Sequence, residues 1–397
     1  MINNAHSHKI RSPAGFSLLE MMVAIVIGII LSIGLIQVMV AGKTAAQSTQ
    51  GANFMQENAR FATTQLDYSL QMADHWGSSN PDKGQFTTAA QTAYNTAMAN
   101  CSGLQSGSTT TYVTGQNWWT LGTYGVSAGA STVNAALGAN CLPDYFGGDV
   151  VVVRYADSNF IQCSDVACAT TVPAGAVAAN ALYVRVAIGK AMVLAKGSEI
   201  TSLSTGTYTP PLDAGYFESP DHANQDGMYT YPYRVEIYYI RKCSTPIGGA
   251  CTAASDNNNP IPTLWRRRLD NTGTLVLEPV VEGIQDMQLE YGLASDNVSG
   301  GTIPVRFSDI QTYKPASSVG SGTGATDWLK VVSVRVGLLT QSDAFNSSGS
   351  RTNVNEQNVQ GANAINSDPS STYSGTDKYM QHAVFTTLGQ VRNRDRG

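Results

Sequence analysis

The run from Phe16 to Ala41, FSLLEMMVAIVIGIILSIGLIQVMVA, constrains the chain more than any other part of it. Its 26 residues hold one charged side chain, Glu20, and no proline. As an α-helix it would be about 39 Å long, enough to cross a hydrocarbon core of about 30 Å. Lys9 and Arg11 lie just before it. By the positive-inside rule they keep the short N-terminus cytoplasmic and send the remainder outward. The small residues near Ala41 leave signal-peptide cleavage at that end open. Glu20 is the anomaly, because a charge at the centre of a span costs about 2.5–3.5 kcal/mol. Nearer the end the cost is lower, yet a carboxylate kept there calls for a function and a cationic partner. A cut between Gly15 and Phe16 would create one: a new α-amino group on Phe16, four residues from Glu20. On a neighbouring helix that amine would neutralise the carboxylate in a low dielectric.

Beyond Ala41 the sequence continues to read as helix, with no proline before Pro81. Ala59, Ala62, Leu66, Leu70 and Ala73 recur at spacings of three and four, an apolar stripe suited to lie on a sheet. Gly42 and Gly51 are expected sites of bending or melting. After Trp76 the texture changes to Gly, Ser, Thr, Asn and aromatics, with a helix expected near Thr88–Ala99. Strands are then expected at 149–156, 181–190, 233–241, 263–269, 274–278, 284–293, 328–339 and 382–393. Val332, Val334, Val336 and Leu338 alternate with Val331, Ser333, Arg335 and Gly337, as in an antiparallel strand with one buried face. No repeated βαβ pattern appears, which disfavours a doubly wound parallel sheet. The fold class expected is therefore α+β: a long N-terminal helix, membrane-spanning in its first half, packed on a large, mainly antiparallel β-rich domain. The organisation expected is a leader at 1–15, a transmembrane segment at 16–41, its amphipathic continuation at 42–76, and an exported domain at 77–397 with insertions at 77–147, 196–228 and 341–378.

Composition narrows the function. The 24 Lys and Arg against 29 Asp and Glu give a net charge of −5, so no nucleic-acid footprint is expected. The six cysteines form no CxxC and have no companion histidines, which argues against a zinc site. In an exported domain they read as disulfides, and local pairing gives Cys101–Cys141, Cys163–Cys168 and Cys243–Cys251, one of 15 connectivities. No GxSxG, HExxH or P-loop occurs, and GSGTGA at 320–325 lacks the strand and helix of a dinucleotide site. No catalytic group and no cofactor is expected. Asp221, His222 and Asp226 cluster in SPDHANQDGMY, where a calcium loop was weighed against a polar turn, and the turn fits better because the EF-hand spacing is missing. In TLWRRRL, Arg266 and Arg268 would share one face with Arg267 opposite, as edge-strand charges with local partners. Trp118 and Trp119 suit core packing better than an exposed sticky tip.

The segment GFSLLEMMVAIVIGI resembles the class III signal of type IV pilins and type II secretion pseudopilins, with Gly15, Phe16 and Glu20 matching residue for residue. That resemblance implies cleavage after Gly15 by a prepilin peptidase, N-methylation of Phe16, and an assembly role for Glu20. QENARFATTQLDYSL, DVVVVRYA, LVLEPVVEGIQDMQLEYGL, VVSVRVGLL and FTTLGQVRNR are similar to PilW-type minor pilins of type IVa pili. With the head these blocks cover about a third of the chain. The resemblance implies a priming or tip role in pilus assembly, supporting motility and adhesion. Its implied partners are the prepilin peptidase, other minor pilins, the major pilin, the assembly platform, a tip adhesin and the inner membrane. The implied location is the inner membrane before assembly and the pilus afterwards. A J-type pseudopilin of type II secretion, a pilin-anchored adhesin carrying the 77–147 insertion, and a membrane-anchored periplasmic enzyme remain as alternatives.

Overall fold

A computed structural model describes residues 17–77, 84–106, 119–159, 161–162, 177–187, 191–200, 228–294, 310–319, 325–342 and 382–391. Helix α1 (Leu18–Met72) is a single 55-residue element that runs through Gly42 and Gly51 without interruption, so the helix does not melt at either glycine. Its start is fixed by a capping box. The Ser17 side chain accepts from the first-turn N–H groups, and Glu20 accepts from the Ser17 N–H at 3.0 Å. Within the apolar half the Ser32 hydroxyl donates to the Gly28 carbonyl at 2.7 Å, so that hydroxyl is satisfied by its own helix. The helix stops at Met72, where the Ala73 N–H bonds Ser69 and Leu70 carbonyls and Asp74 takes a positive φ of 63°. The Asp74 N–H then donates to the Arg154 carbonyl, tying the helix end to the sheet beneath.

The strands are β1 (Gly84–Phe86), β2 (Thr123–Val126), β3 (Tyr145–Ala156), β4 (Ile161–Gln162), β5 (Leu182–Ala187), β6 (Ala191–Lys196) and β7 (Met228–Arg241). They continue with β8 (Thr263–Leu269), β9 (Leu275–Glu282), β10 (Ile284–Ala294), β11 (Ile310–Pro315), β12 (Val331–Gln341) and β13 (His382–Gln390). Helices α2 (Thr88–Ala97) and α3 (Ala130–Leu137) precede β3. Among the described residues the first sheet runs β1-β6-β5-β7-β3-β2, with β4, β8 and β9 joined through β7. The second runs β11-β10-β12-β13. Every described strand pair is antiparallel except β1 with β6. The long strand β7 is the spine of the first sheet: its first half pairs β5 and β4, its second half β3 and β8.

The strands expected from the sequence are present, with shifted ends. Residues 328–330 belong to a 3-10 turn, and β12 begins at Val331. Strands β1, β2, β4, β6 and β11 and helix α3 do not appear among the expected elements: β1, β2 and β4 are three, four and two residues long, too short for a period to register. β12 departs from the one-sided burial read from its alternation, because only Arg335 is partly exposed along it. Both of its faces are covered. β8 is likewise an interior strand, hydrogen-bonded to β7 and β9, so its arginines are not edge charges.

One stripe of α1, Gly51, Met55, Ala59, Ala62, Leu66, Ser69 and Leu70, is buried and lies across strands of both sheets. A Cβ added at Gly389 in β13 would stand 2.7 Å from Leu70 Cδ1, so glycine is what lets the helix seat there. The Asn58 side-chain amide donates to the Glu282 carbonyl at the end of β9, 2.9 Å away. Below the helix end Trp76, Trp119 and Tyr233 form an aromatic cluster, with the two tryptophan rings edge to face at 5.6 Å. The two sheets are joined by a second cluster. Trp328 packs between Tyr124 of β2 and Tyr291 of β10, at 5.1 and 4.9 Å between centroids. Leu70 is 1% exposed while Phe61 on the same helix is 54% exposed. Leu70→Ala should therefore cost about 2–5 kcal/mol in urea unfolding of the detergent-solubilised chain. Phe61→Ala should cost under about 0.5 kcal/mol by the same measurement.

Candidate assembly site

The projecting half of α1 carries the chemistry that the sequence singled out. Every residue from Leu18 to Lys43 is exposed, and none of the helix's most apolar stretch is buried by the rest of the protein. Leu18, Leu35, Val38 and Met39 are each more than 70% exposed. Water penalises such a surface at about 25 cal/mol per Å² of apolar area, so it belongs in lipid or against other apolar helices. Among the described residues this is the one helix long and apolar enough to cross a membrane.

Glu20 sits in the first turn of that helix, where the N-terminal dipole favours a carboxylate. Its Oε2 accepts from the Ser17 N–H, and it makes no other hydrogen bond or ion pair among the described residues. One oxygen therefore finishes the helix end, and the other has no hydrogen-bond or ion-pair partner among the described residues. The Ser17-x-x-Glu20 spacing that builds the capping box was available in the sequence but was overshadowed by the oddity of the charge itself. Gly15 and Phe16 lie outside the described residues.

What holds this helix to the domain is a buried polar cluster around Glu236 of β7, which is 2% exposed. The Ser69 hydroxyl donates to its Oε2 at 2.7 Å, and the Tyr238 hydroxyl donates to the same oxygen at 3.1 Å. Tyr155 of β3 donates to Oε1 at 3.2 Å, and Arg266 of β8 pairs with Oε1 at 3.1 Å. Four partners fill the carboxylate, which is the condition under which a buried charge can be kept. Burial, and then the Glu236 charge, push the Tyr155 and Tyr238 phenols up, so both remain donors. Arg266 also meets Glu278 of β9 at 2.7 Å, and Arg268 meets the same carboxylate at 2.6 Å. The hydrogen bond from Arg268, aided by Arg266 and opposed by partial burial, holds the Glu278 carboxyl below its ordinary range. The alternation of the strand places Arg266 and Arg268 on one face and sends Arg267 to the other.

On that other face Arg267 Nη1 donates to the carbonyls of Asn140 and Cys141, beside the disulfide Cys101–Cys141. The second disulfide, Cys243–Cys251, closes a turn fastened by Arg241, which pairs with Asp144 at 2.8 Å and stacks over Trp265 at 4.6 Å. Cys163, Cys168, Asp221, His222, Asp226, Trp118 and residues 320–324 lie outside the described residues. Trp119 is fully buried in the aromatic cluster. Among the described residues no three His, Cys, Asp or Glu side chains gather as a metal site.

Asp149 of β3 is a different kind of buried acid. It is 4% exposed and brackets two elements, accepting from the Ala128 N–H before α3 at 2.7 Å and the Leu289 N–H of β10 at 2.8 Å. Burial pushes its pKa from 3.8 up to about 7; the two N–H groups oppose this and Asp286 adds to it.

A long exposed apolar helix with an acid in its first turn, seated on antiparallel sheets, defines a pilin-like α+β protein. Comparison with family models agrees. The prokaryotic N-terminal methylation motif matches residues 10–36, and the family described as type IV pilus-assembly protein W matches residues 237–393. Together the two matches support a PilW-type minor pilin, and the helix with its motif fits an inner-membrane anchored pilin. No curated protein and no solved structure matches the chain. The second match begins within β7 and takes in Tyr238, Arg266, Arg268 and Glu278, but Ser69, Tyr155 and Glu236 precede it.

Glu236→Gln should destabilise the detergent-solubilised chain by about 3 kcal/mol in urea, because it removes a buried charge from a satisfied pair. For Asp149 the unfolded carboxyl ionises near 3.8 and the folded one near 7, so the folded state holds the extra proton between them. Stability is highest below about pH 4 as far as this group is concerned. It is lost as pH rises towards 7, by at most about 1.4 kcal/mol per pH unit. Asp144, Asp270 and Glu278 are shifted the other way and act below pH 5. Urea midpoints from pH 5 to 8 should therefore fall in the parent chain and stay flatter in Asp149→Asn.

Proposed function

We propose that the chain is cut after Gly15, methylated on Phe16, and incorporated into a type IV pilus as a minor subunit that primes assembly at or near the tip. A pilus-related role of this family rests on the two matches. What supports the mechanism most directly is the position of Glu20: a first-turn carboxylate with one oxygen unpartnered among the described residues, on a helix whose flanks are apolar and exposed. In the membrane the first half of α1 anchors the precursor, with the domain on the periplasmic side. During assembly the same apolar surface leaves lipid for the helices of other pilins, an exchange of one apolar surrounding for another. The α-amine of a neighbouring mature subunit then meets Glu20 and offsets its charge. The capping box is made by Ser17 and Glu20 alone, so it survives removal of residues 1–15.

The partners in this reading are a prepilin peptidase, other minor pilins, the major pilin and the assembly platform. Contribution to motility and adhesion follows from a filament that carries the subunit. The disulfides and the Glu236 cluster hold the exported domain rigid on a helix that must change surroundings.

Mass spectrometry of sheared surface filaments, beside the inner-membrane fraction, tests the reading. A methylated N-terminal peptide beginning at Phe16 is expected in the filaments. Its confinement to the membrane would move the protein to a secretion pseudopilus, and an intact Met1 or a cut near Ala41 would overturn the pilin mechanism. Glu20→Ala should leave membrane insertion and cleavage unchanged while lowering filament incorporation several-fold, read by immunoblot of the two fractions.

A further inference from the structure

The three consecutive arginines of β8 are treated differently by the fold. Arg266 and Arg268 have carboxylates, Glu236 and Glu278, within 3.1 Å. Arg267 has none. It is 7% exposed, and its hydrogen bonds all run through Nη1, to the Asn140 and Cys141 carbonyls and, at 3.7 Å, to Cys101 Sγ. Nε and Nη2 have no partner among the described residues. A guanidinium taken out of water with only neutral acceptors carries an uncompensated desolvation cost. Its pKa is lowered by burial, in line with that. The Asn140 and Cys141 carbonyls offset part of this cost but supply no full negative charge.

Arg267 also lines an open cavity of about 220 Å³ between the end of α2 and the β8–β9 turn. Asn100 lines it too, and its side-chain amide makes no hydrogen bond among the described residues. Ala97, Ala99 and Leu275 give it apolar walls, and the Thr96 hydroxyl that also lines it is committed to the Thr92 carbonyl. The Thr274 hydroxyl on the rim is committed to Asp270, whose carboxylate is held within its own turn by Thr272 and Thr274. We propose that this cavity is a binding site for a small carboxylate, gripped by Arg267 and Asn100 above an apolar floor. Nε is sealed and Nη1 is taken by carbonyls, so a carboxylate would set one oxygen on Nη2 and the other on the Asn100 amide, which a spherical anion does less well, and the floor suits a short aliphatic stem. The group is either a free small acid or the side chain of an acidic residue on a neighbouring chain.

Thermal unfolding of the detergent-solubilised full chain in acetate, against chloride at equal ionic strength, tests this. A saturable rise in midpoint with acetate is expected, with none in chloride. Asn100→Leu, a change at an exposed position, should raise the acetate needed for half the effect about tenfold, the worth of one charge-assisted hydrogen bond. Arg267→Gln should abolish the effect; if that variant does not fold, Asn100→Leu still decides. An acetylated, amidated glutamate is the second probe. Saturation at lower concentration than acetate assigns the site to a neighbour's side chain, and equal or weaker action assigns it to a free acid. Identical curves in acetate and chloride, or an acetate effect undiminished by Asn100→Leu, would overturn the proposal.

Discussion

The seating of α1 on the two sheets is the constraint from which the rest of the architecture follows. A 55-residue helix can leave half its length without a protein partner only if the other half is held firmly. The buried stripe from Gly51 to Leu70 supplies the apolar part of that hold, with Gly389 allowing close approach. Ser69, the polar member of the stripe, reaches Glu236 and makes the contact directional. Apolar burial alone would let the helix slide or rotate by a turn; one hydroxyl on a buried, fully partnered carboxylate fixes its rotation and register.

The same arrangement distributes charge through the domain. Glu236 is shared by residues of α1, β3, β7 and β8, and its arginine is shared in turn with Glu278 of β9. That chain of ionised groups lies on the helix side of the first sheet. Asp149 lies where the two sheets meet and titrates near neutrality.

Much of this was legible along the chain, for reasons that can be stated element by element. Glu20 stood out because an apolar run exposes a single charge, and Ala59, Ala62, Leu66 and Leu70 because helical spacing is a local property. β8 emerged with its ends at Thr263 and Leu269, and its alternation put Arg266 and Arg268 together. β1 and β2 escaped because three or four residues cannot display a period. Gly42 and Gly51 do not melt the helix, and Gly51 is itself buried against the domain. Glu236 gave no signal at all: one acid in an apolar strand reads as a solvent-facing residue until its partners, 167 positions away in the case of Ser69, are brought to it.

The sequence by itself determined the membrane-length helix, its carboxylate, the stripe that faces the domain, and the antiparallel character of the strands. Each follows from backbone periodicity and the cost of burying charge, and these act over a few residues. Only the tertiary structure decided that β8 is interior, that β12 is buried on both faces, and that three neighbouring arginines meet three different surroundings. Those outcomes depend on which distant surfaces come together, and that is set by the competition between loop closure and packing across the whole chain, which no local window contains.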